Sequence, residues 1–148
     1  MQEFSAVERR LNEEFPGENQ PRRALVVDDN ANEGQLLAAY LRACGYQVET
    51  ASDGYDAMRK LDQLDGLDVL LLDMAMPHCD GPSMLRTLRS DTRFDNLTIF
   101  AVTGSAPERF TSNRACRRVN QWFQKPVDAE TLVQEMNRVL QPLAAGFN

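Results

Sequence analysis

Cysteine and histidine are scarce in this chain: Cys44, Cys79 and Cys116 are scattered and odd in number, and His78 is the only histidine. Neither a disulfide framework nor a zinc site with paired short spacings can be assembled from them. Long apolar runs are also missing. Leu67 to Met76 is broken by Asp68 and Asp73, so no segment approaches the roughly 18 residues of a spanning helix, and membrane insertion is not expected. The first residues mix acidic with apolar side chains and lack the basic start, apolar middle and small-residue cleavage site of a secretory signal, which makes the cytoplasm the expected compartment. Basic residues are in deficit, 16 Lys and Arg against 22 Asp and Glu for a net charge of −6, which argues against a surface built to grip nucleic acid. What is present suits one globular domain: 148 residues, 43% hydrophobic and 26% charged.

The beginning differs from the rest. Phe4, Val7, Leu11 and Phe15 recur at helical steps before Pro16-Gly17 and a polar stretch, so residues 1–21 read as a short amphipathic helix and linker. Its stripe either packs on the main domain or docks a partner, and both alternatives stand. From Ala24 the pattern alternates short apolar runs with helical periodicity, the mark of repeated strand–helix units. Strands are expected at Ala24–Val27, Gln47–Ala51, Leu67–Leu72, Leu97–Val102 and Gln121–Gln124.

Helices are expected between them. Asn30 caps the first, with Glu33 three residues later, an inner face of Leu36, Leu37, Tyr40, Leu41 and Cys44, and Gly45 as its stop. Asp53 precedes the second, at about Gly54–Leu64, and Asp80 the third, at about Pro82–Arg89. The fourth is expected over Pro107–Arg118 and the fifth behind Asp128, with Leu132, Val133, Met136, Val139 and Leu140 inward. Right-handed crossovers then give an α/β fold, a doubly wound parallel five-stranded sheet covered on both faces, with ligands beyond the C-terminal strand ends.

Chemistry gathers at those ends. Asp28 and Asp29 close strand one, and Asp73 closes strand three. Strands one and three are neighbours in a doubly wound sheet, so their carboxylates converge and repel unless a cation joins them. Oxygen-only ligands suit Mg²⁺, which keeps waters and accepts phosphate oxygens. Thr103 ends strand four with a hydroxyl, and Lys125 ends strand five with an ammonium, its backbone biased away from helix by Pro126. Singly these are ordinary caps and solvated loop residues. Together, on successive strand ends, they make a phosphoryl site.

Val26-Val27-Asp28-Asp29, Leu71-Leu72-Asp73-Met74-Ala75-Met76-Pro77, Ala101-Val102-Thr103-Gly104 and Lys125-Pro126 resemble the receiver domain of two-component response regulators. The resemblance covers about residues 22–143, leaves 144–148 as a tail, and implies a flavodoxin-like (βα)5 sheet in the order 2-1-3-4-5. It implies that Asp73 is the phosphoacceptor and that Asp28, Asp29, Asp73 and the backbone carbonyl of Ala75 hold Mg²⁺. The phosphoryl donor would be a histidine kinase or histidine phosphotransfer protein. The chain would be no enzyme beyond catalysing its own phosphorylation and dephosphorylation. Thr103 and Lys125 would close on the new phosphate, and Trp122, at the position of an aromatic that turns inward in receivers, would either respond with them or stand as a fixed half-buried anchor. Helix four, strand five and helix five would then present a changed face to a protein target. A homodimer through that face is allowed, and residues 4–15 would add contact to it.

Some positions depart from the commoner pattern. Cys79 stands where Met is frequent, His78 flanks the pocket, and Arg118-Val119-Asn120-Gln121 replaces a small pair before strand five. Small Ala75 and Ser105 beside Asp73 and Thr103 leave the phosphoryl open to water, so a short-lived signal is expected. Arg109, Arg114, Arg117 and Arg118 against Glu108 make a basic patch on an acidic chain, which points to an acidic protein partner, with nucleic acid ranked behind it. Neither terminal segment is long enough for an output domain, so the expected function is a stand-alone switch. The alternatives are a phosphorelay carrier or phosphate sink, and a phosphate-independent scaffold. A haloacid dehalogenase type of enzyme would need an acid where Asn30 stands.

Overall fold

The computed structural model describes residues 21–64, 66–74, 76, 81–105, 110 and 114–140. Their order is β1 (Arg23–Val27), α1 (Ala31–Ala43), β2 (Gln47–Ala51), α2 (Gly54–Gln63), β3 (Val69–Asp73), α3 (Gly81–Arg89), a 3-10 turn (Thr92–Phe94), β4 (Thr98–Thr103), a second 3-10 turn (Ala115–Arg118), β5 (Gln121–Gln124) and α4 (Ala129–Leu140). All strand pairs are parallel, in the order β2-β1-β3-β4-β5. This is the doubly wound sheet and strand order expected from the sequence and its resemblance.

The central strands are apolar on both faces because both are covered. Leu25, Val27, Leu70, Leu72, Ile99 and Ala101 face α2, α3 and the second 3-10 turn. Ala24, Val26, Val69, Leu71 and Phe100 face α1 and α4. Each large side chain buried here contributes about 1.5–3 kcal/mol relative to exposure. The sheet is thereby a stiff platform for its strand ends.

Local chemistry sets the element bounds. The Asn30 side chain accepts from the Glu33 N–H at 3.1 Å and starts α1. Gly45, at φ +99°, stops it: the Tyr46 N–H reaches the Leu41 carbonyl at 3.1 Å, and the Gly45 N–H reaches the Arg42 carbonyl at 3.0 Å. Asp53 caps α2 through the Asp56 N–H at 2.8 Å. β3 begins two residues later than expected, because the Asp68 carboxylate and N–H both bond the Arg23 backbone, at 2.9 and 3.0 Å.

Two expectations are corrected. The inner stripe of α1 is Gly34, Ala38 and Leu41; Leu36 is 73% exposed, Tyr40 38%, and Cys44 is exposed. Small side chains face the sheet because the helix lies close to it: a Cβ added at Gly34 would stand 3.5 Å from Asp28 Cβ. Leu36 and Tyr40 are turned outward, while Leu37 is partly buried against the core as expected. At the end of the expected fourth helix, Ala115–Arg118 is a 3-10 turn, with the Arg117 N–H on the Arg114 carbonyl at 3.1 Å. It is tightened because the chain must enter β5 at once, where Asn120 exchanges bonds with the Ile99 backbone at 2.8 Å. Residues 107–109 and 111–113 of that helix, the segment 1–20, Asp80 and the C-terminal tail lie outside the described residues.

Candidate phosphoryl site

β1 runs into Asp28 and Asp29, and β3 ends on Asp73. Val27 and Leu72 are register partners, so the following carboxylates arrive side by side. One carboxylate oxygen of each of Asp28, Asp29 and Asp73 lies within 4.8 Å of the others. Asp73 is only 5% exposed, Asp28 is partly buried, and Asp29 is exposed. The Asp28 N–H is held by the Ala51 carbonyl at 3.0 Å, and Asp28 Oδ1 accepts from the Asn30 N–H at 2.9 Å. Three hard, anionic oxygen donors at this spacing repel one another and match what Mg²⁺ takes from protein.

Met74, the residue after Asp73, is held on both sides. The Met74 N–H bonds the Val102 carbonyl at 2.8 Å, and the Met74 carbonyl accepts from the Gly81 N–H at 3.2 Å. A Cβ at Gly81 would stand 2.6 Å from Met74 Cα, so only glycine permits this approach of α3. Ala75, the expected source of a backbone ligand, lies outside the described residues, as do His78, Cys79 and Arg109.

Lys125, one residue beyond β5, extends its ammonium into the acids: Nζ lies 3.1 Å from Glu33 Oε1, 3.3 Å from Asp73 Oδ2 and 3.8 Å from Asp28 Oδ2. Burial pushes this ammonium down, but the Glu33 hydrogen bond and the charges of Asp73 and Asp28 outweigh that and hold it above the usual lysine range. Its peptide bond to Pro126 is cis. Thr103 is buried on the adjacent strand; its Oγ1 accepts from the Ser105 N–H at 2.9 Å, and its carbonyl accepts from the Lys125 N–H at 2.7 Å. The hydroxyl therefore sits on the last residue of β4, whose backbone shares a hydrogen bond with the lysine.

Trp122 is a register partner of Ala101 and packs half-buried against the core on the α3 side, its ring stacked on Phe110 at 5.7 Å and 17°. Arg114, Arg117 and Arg118 are exposed, and Arg118 is tied to Arg89: the Arg89 guanidinium bonds the Arg118 carbonyl at 3.0 Å.

Two features escaped sequence reasoning. Glu33 was legible only as a cap partner, yet its carboxylate is a Lys125 ligand, with Oε2 accepting from Asn30 Nδ2 at 3.3 Å. The available signal was its place in the first turn, since helical side chains lean toward the N-terminus and so toward the strand ends. The other is a cavity of about 650 Å³ that opens from Asp73 and Lys125 along α1, between Leu36, Leu37 and Tyr40 on one wall and Pro126, Val127 and Ala129 on the other.

Among known proteins, the family model described as the response regulator receiver domain matches residues 24–137. Chemotaxis protein CheY1 of Helicobacter pylori is 32% identical over 121 residues, which is 80% of this chain and 96% of that protein. Hybrid signal transduction histidine kinase D of Dictyostelium discoideum is 34% identical over 109 residues, 74% of this chain but only 7% of the kinase's length. The crystal structure of the response regulator TrrA of Thermotoga maritima in complex with Mg(2+)-BeF superimposes with a TM-score of 0.71 at 25% identity, covering 80% of this chain and 99% of that one. The matched span holds the sheet from the second residue of β1 to the end of β5 and both acidic strand ends, and on that ground the chain belongs to the response regulator receiver domains of two-component signalling.

Proposed function

We propose that Asp73 accepts a phosphoryl group from a histidine kinase or histidine phosphotransfer protein, and that the protein signals through the surface around the Arg114–Arg118 turn, β5 and α4. A carboxylate oxygen of Asp73 attacks the phosphorus of a phosphohistidine; the new O–P bond forms as the P–N bond breaks, and the imidazole leaves with a proton. Mg²⁺, held by Asp28, Asp29, Asp73 and the Ala75 carbonyl, would offset charge on the phosphoryl oxygens. Lys125 and Thr103 then face a group carrying about 1.5–2 negative charges. Their ammonium and hydroxyl are drawn to it, and the loops after β4 and β5 follow. Beyond that self-directed reaction no enzymatic activity is proposed.

The observation that carries this proposal is the meeting of three carboxylates within 4.8 Å with the Lys125 ammonium on Asp73. Exposed Leu36 and Tyr40 at the cavity rim favour a protein as the donor, since they offer apolar contact beside the reacting carboxylate. The Trp122–Phe110 stack favours a second reading, a carrier or phosphate sink: leaving the stack costs Trp122 about 0.5–1.5 kcal/mol, which opposes an aromatic switch.

Beryllofluoride or a small phosphodonor, added with and without Mg²⁺ to the wild type and Asp73→Asn, separates them. A Mg²⁺-dependent adduct in the intact mass or binding isotherm, lost in Asp73→Asn and accompanied by a change in Trp122 fluorescence, is the expected result. An adduct with silent Trp122 supports the carrier, and no adduct at all rejects phosphorylation and leaves a constitutive scaffold.

A further inference from the structure

Among the described residues that line the cavity, Lys125 is the only cationic side chain, and three carboxylates share it. Its shortest contact is not to the phosphoacceptor but to Glu33, at 3.1 Å against 3.3 Å for Asp73. An ammonium has three donors and no acceptor, so a phosphoryl group that recruits it must take it from partners it already holds. Asp28 and Asp73 belong to the acidic triad. Glu33 does not.

The Glu33 carboxylate is itself oriented. Its backbone N–H is fixed by the Asn30 cap, Oε2 accepts from Asn30 Nδ2 at 3.3 Å, and Oε1 is left for Lys125. More than half of the Glu33 side chain is exposed, so the ion pair adds little to folding stability. Its consequence lies in the reaction.

We propose that Glu33 is a positioning residue that holds the Lys125 ammonium in the unphosphorylated protein, so that Asp73 phosphorylation proceeds in competition with it. The proposal rests on the aspartyl-phosphate function above. In the resting protein Glu33 keeps the lysine at the mouth of the site, shared with Asp73. When Asp73 gains about 1.5–2 negative charges, Lys125 moves to the phosphoryl oxygens and the Glu33 contact is released. Glu33 therefore sets how readily the phosphorylated arrangement forms.

Binding of beryllofluoride at saturating Mg²⁺ tests this on the full chain, with Glu33→Gln and Glu33→Asp beside the wild type. Glutamine keeps the size and the Asn30 contact but loses the charge; aspartate keeps the charge on an arm too short for the Lys125 contact. Both are expected to bind beryllofluoride about three- to tenfold more tightly than the wild type, with melting temperatures within about 2 °C of it. If aspartate behaves as wild type and only glutamine tightens, a bare negative field is acting and the positioning role is overturned. Equal affinity in all three proteins overturns it as well, while leaving phosphoacceptance intact. Absence of Mg²⁺-dependent binding to the wild type is a different failure, that of the underlying function.

Discussion

Two buried glycines beside the site make opposite demands, although both sit in helices. At Gly34 an added Cβ meets only Asp28 Cβ at 3.5 Å, an ordinary contact, so Gly34→Ala removes the entropic cost of glycine in α1 and stabilises the protein by about 0.5–1 kcal/mol. At Gly81 the Cβ meets Met74 Cα at 2.6 Å, backbone that cannot yield cheaply. Gly81→Ala is expected to destabilise by about 1–3 kcal/mol, and to lower the rate of Asp73 phosphorylation because the displaced loop begins at the residue after the nucleophile. Denaturant melts of the two variants check the opposite signs; a stabilised Gly81→Ala would mean that α3 is free to shift. Residue chemistry also explains what could be read from sequence. Asp28, Asp29, Asp73 and Thr103 are the polar residues that end apolar strands, and Lys125 stands before a proline just past β5, so their type and their place coincide. Glu33 is one of several charged residues on a helix, and only the three-dimensional path of Lys125 picks it out.

At the scale of elements, the strands were legible nearly to the residue, because a doubly covered strand needs an unbroken apolar run, and Leu70, Leu71 and Leu72 supply one. The α1 face was not. Periodicity assigns Leu36 and Tyr40 inward with Leu37 and Leu41, whereas the face of this helix that is buried carries the small residues Gly34 and Ala38 beside Leu41, and period alone does not encode interaxial distance. The same limit applies after β4, where the helical pattern of Arg114–Arg118 gives way to a 3-10 turn imposed by the start of β5. The misplaced α1 residues become informative once seen. Leu36→Glu is expected to leave stability within about 0.5 kcal/mol, since the side chain is 73% exposed. It should slow phosphotransfer from a protein donor about tenfold, a loss of roughly 1.4 kcal/mol of contact, while phosphorylation by a small-molecule donor keeps its wild-type rate. Equal slowing with both donors would place Leu36 in the reaction itself and remove the docking argument.

For the whole molecule, the site is a source of instability held in place by the sheet. The chain carries a net charge of −6, and three of its carboxylates are fixed within 4.8 Å of one another at the ends of β1 and β3, with Asp73 buried. The charges of Asp28 and Asp29 repel that of Asp73, while Lys125 attracts it; the raised folded-state pKa of Lys125 keeps it charged below the unfolded lysine value of about 10.4 and lets its contribution fade only as pH rises above that. Repulsion among the three carboxylates is expected to outweigh that attraction at neutral pH without a cation, with the apolar platform of Leu71, Leu72 and their neighbours holding the site in place. Asp73→Asn keeps the shape and removes one charge, so in EDTA it is expected to melt about 3–6 °C above the wild type, corresponding to roughly 1–2 kcal/mol. Mg²⁺ acts on the same repulsion from the other side: at a hundred times its dissociation constant it should stabilise the wild type by about 2.7 kcal/mol. Asp73→Asn, already relieved and short of one ligand, should gain less than half of that. Thermal melts of both proteins in EDTA and in Mg²⁺ measure all four states. A variant that melts below the wild type in EDTA would show that the Lys125 pair outweighs the carboxylate repulsion, and an equal Mg²⁺ shift in both would place the cation elsewhere than on Asp73.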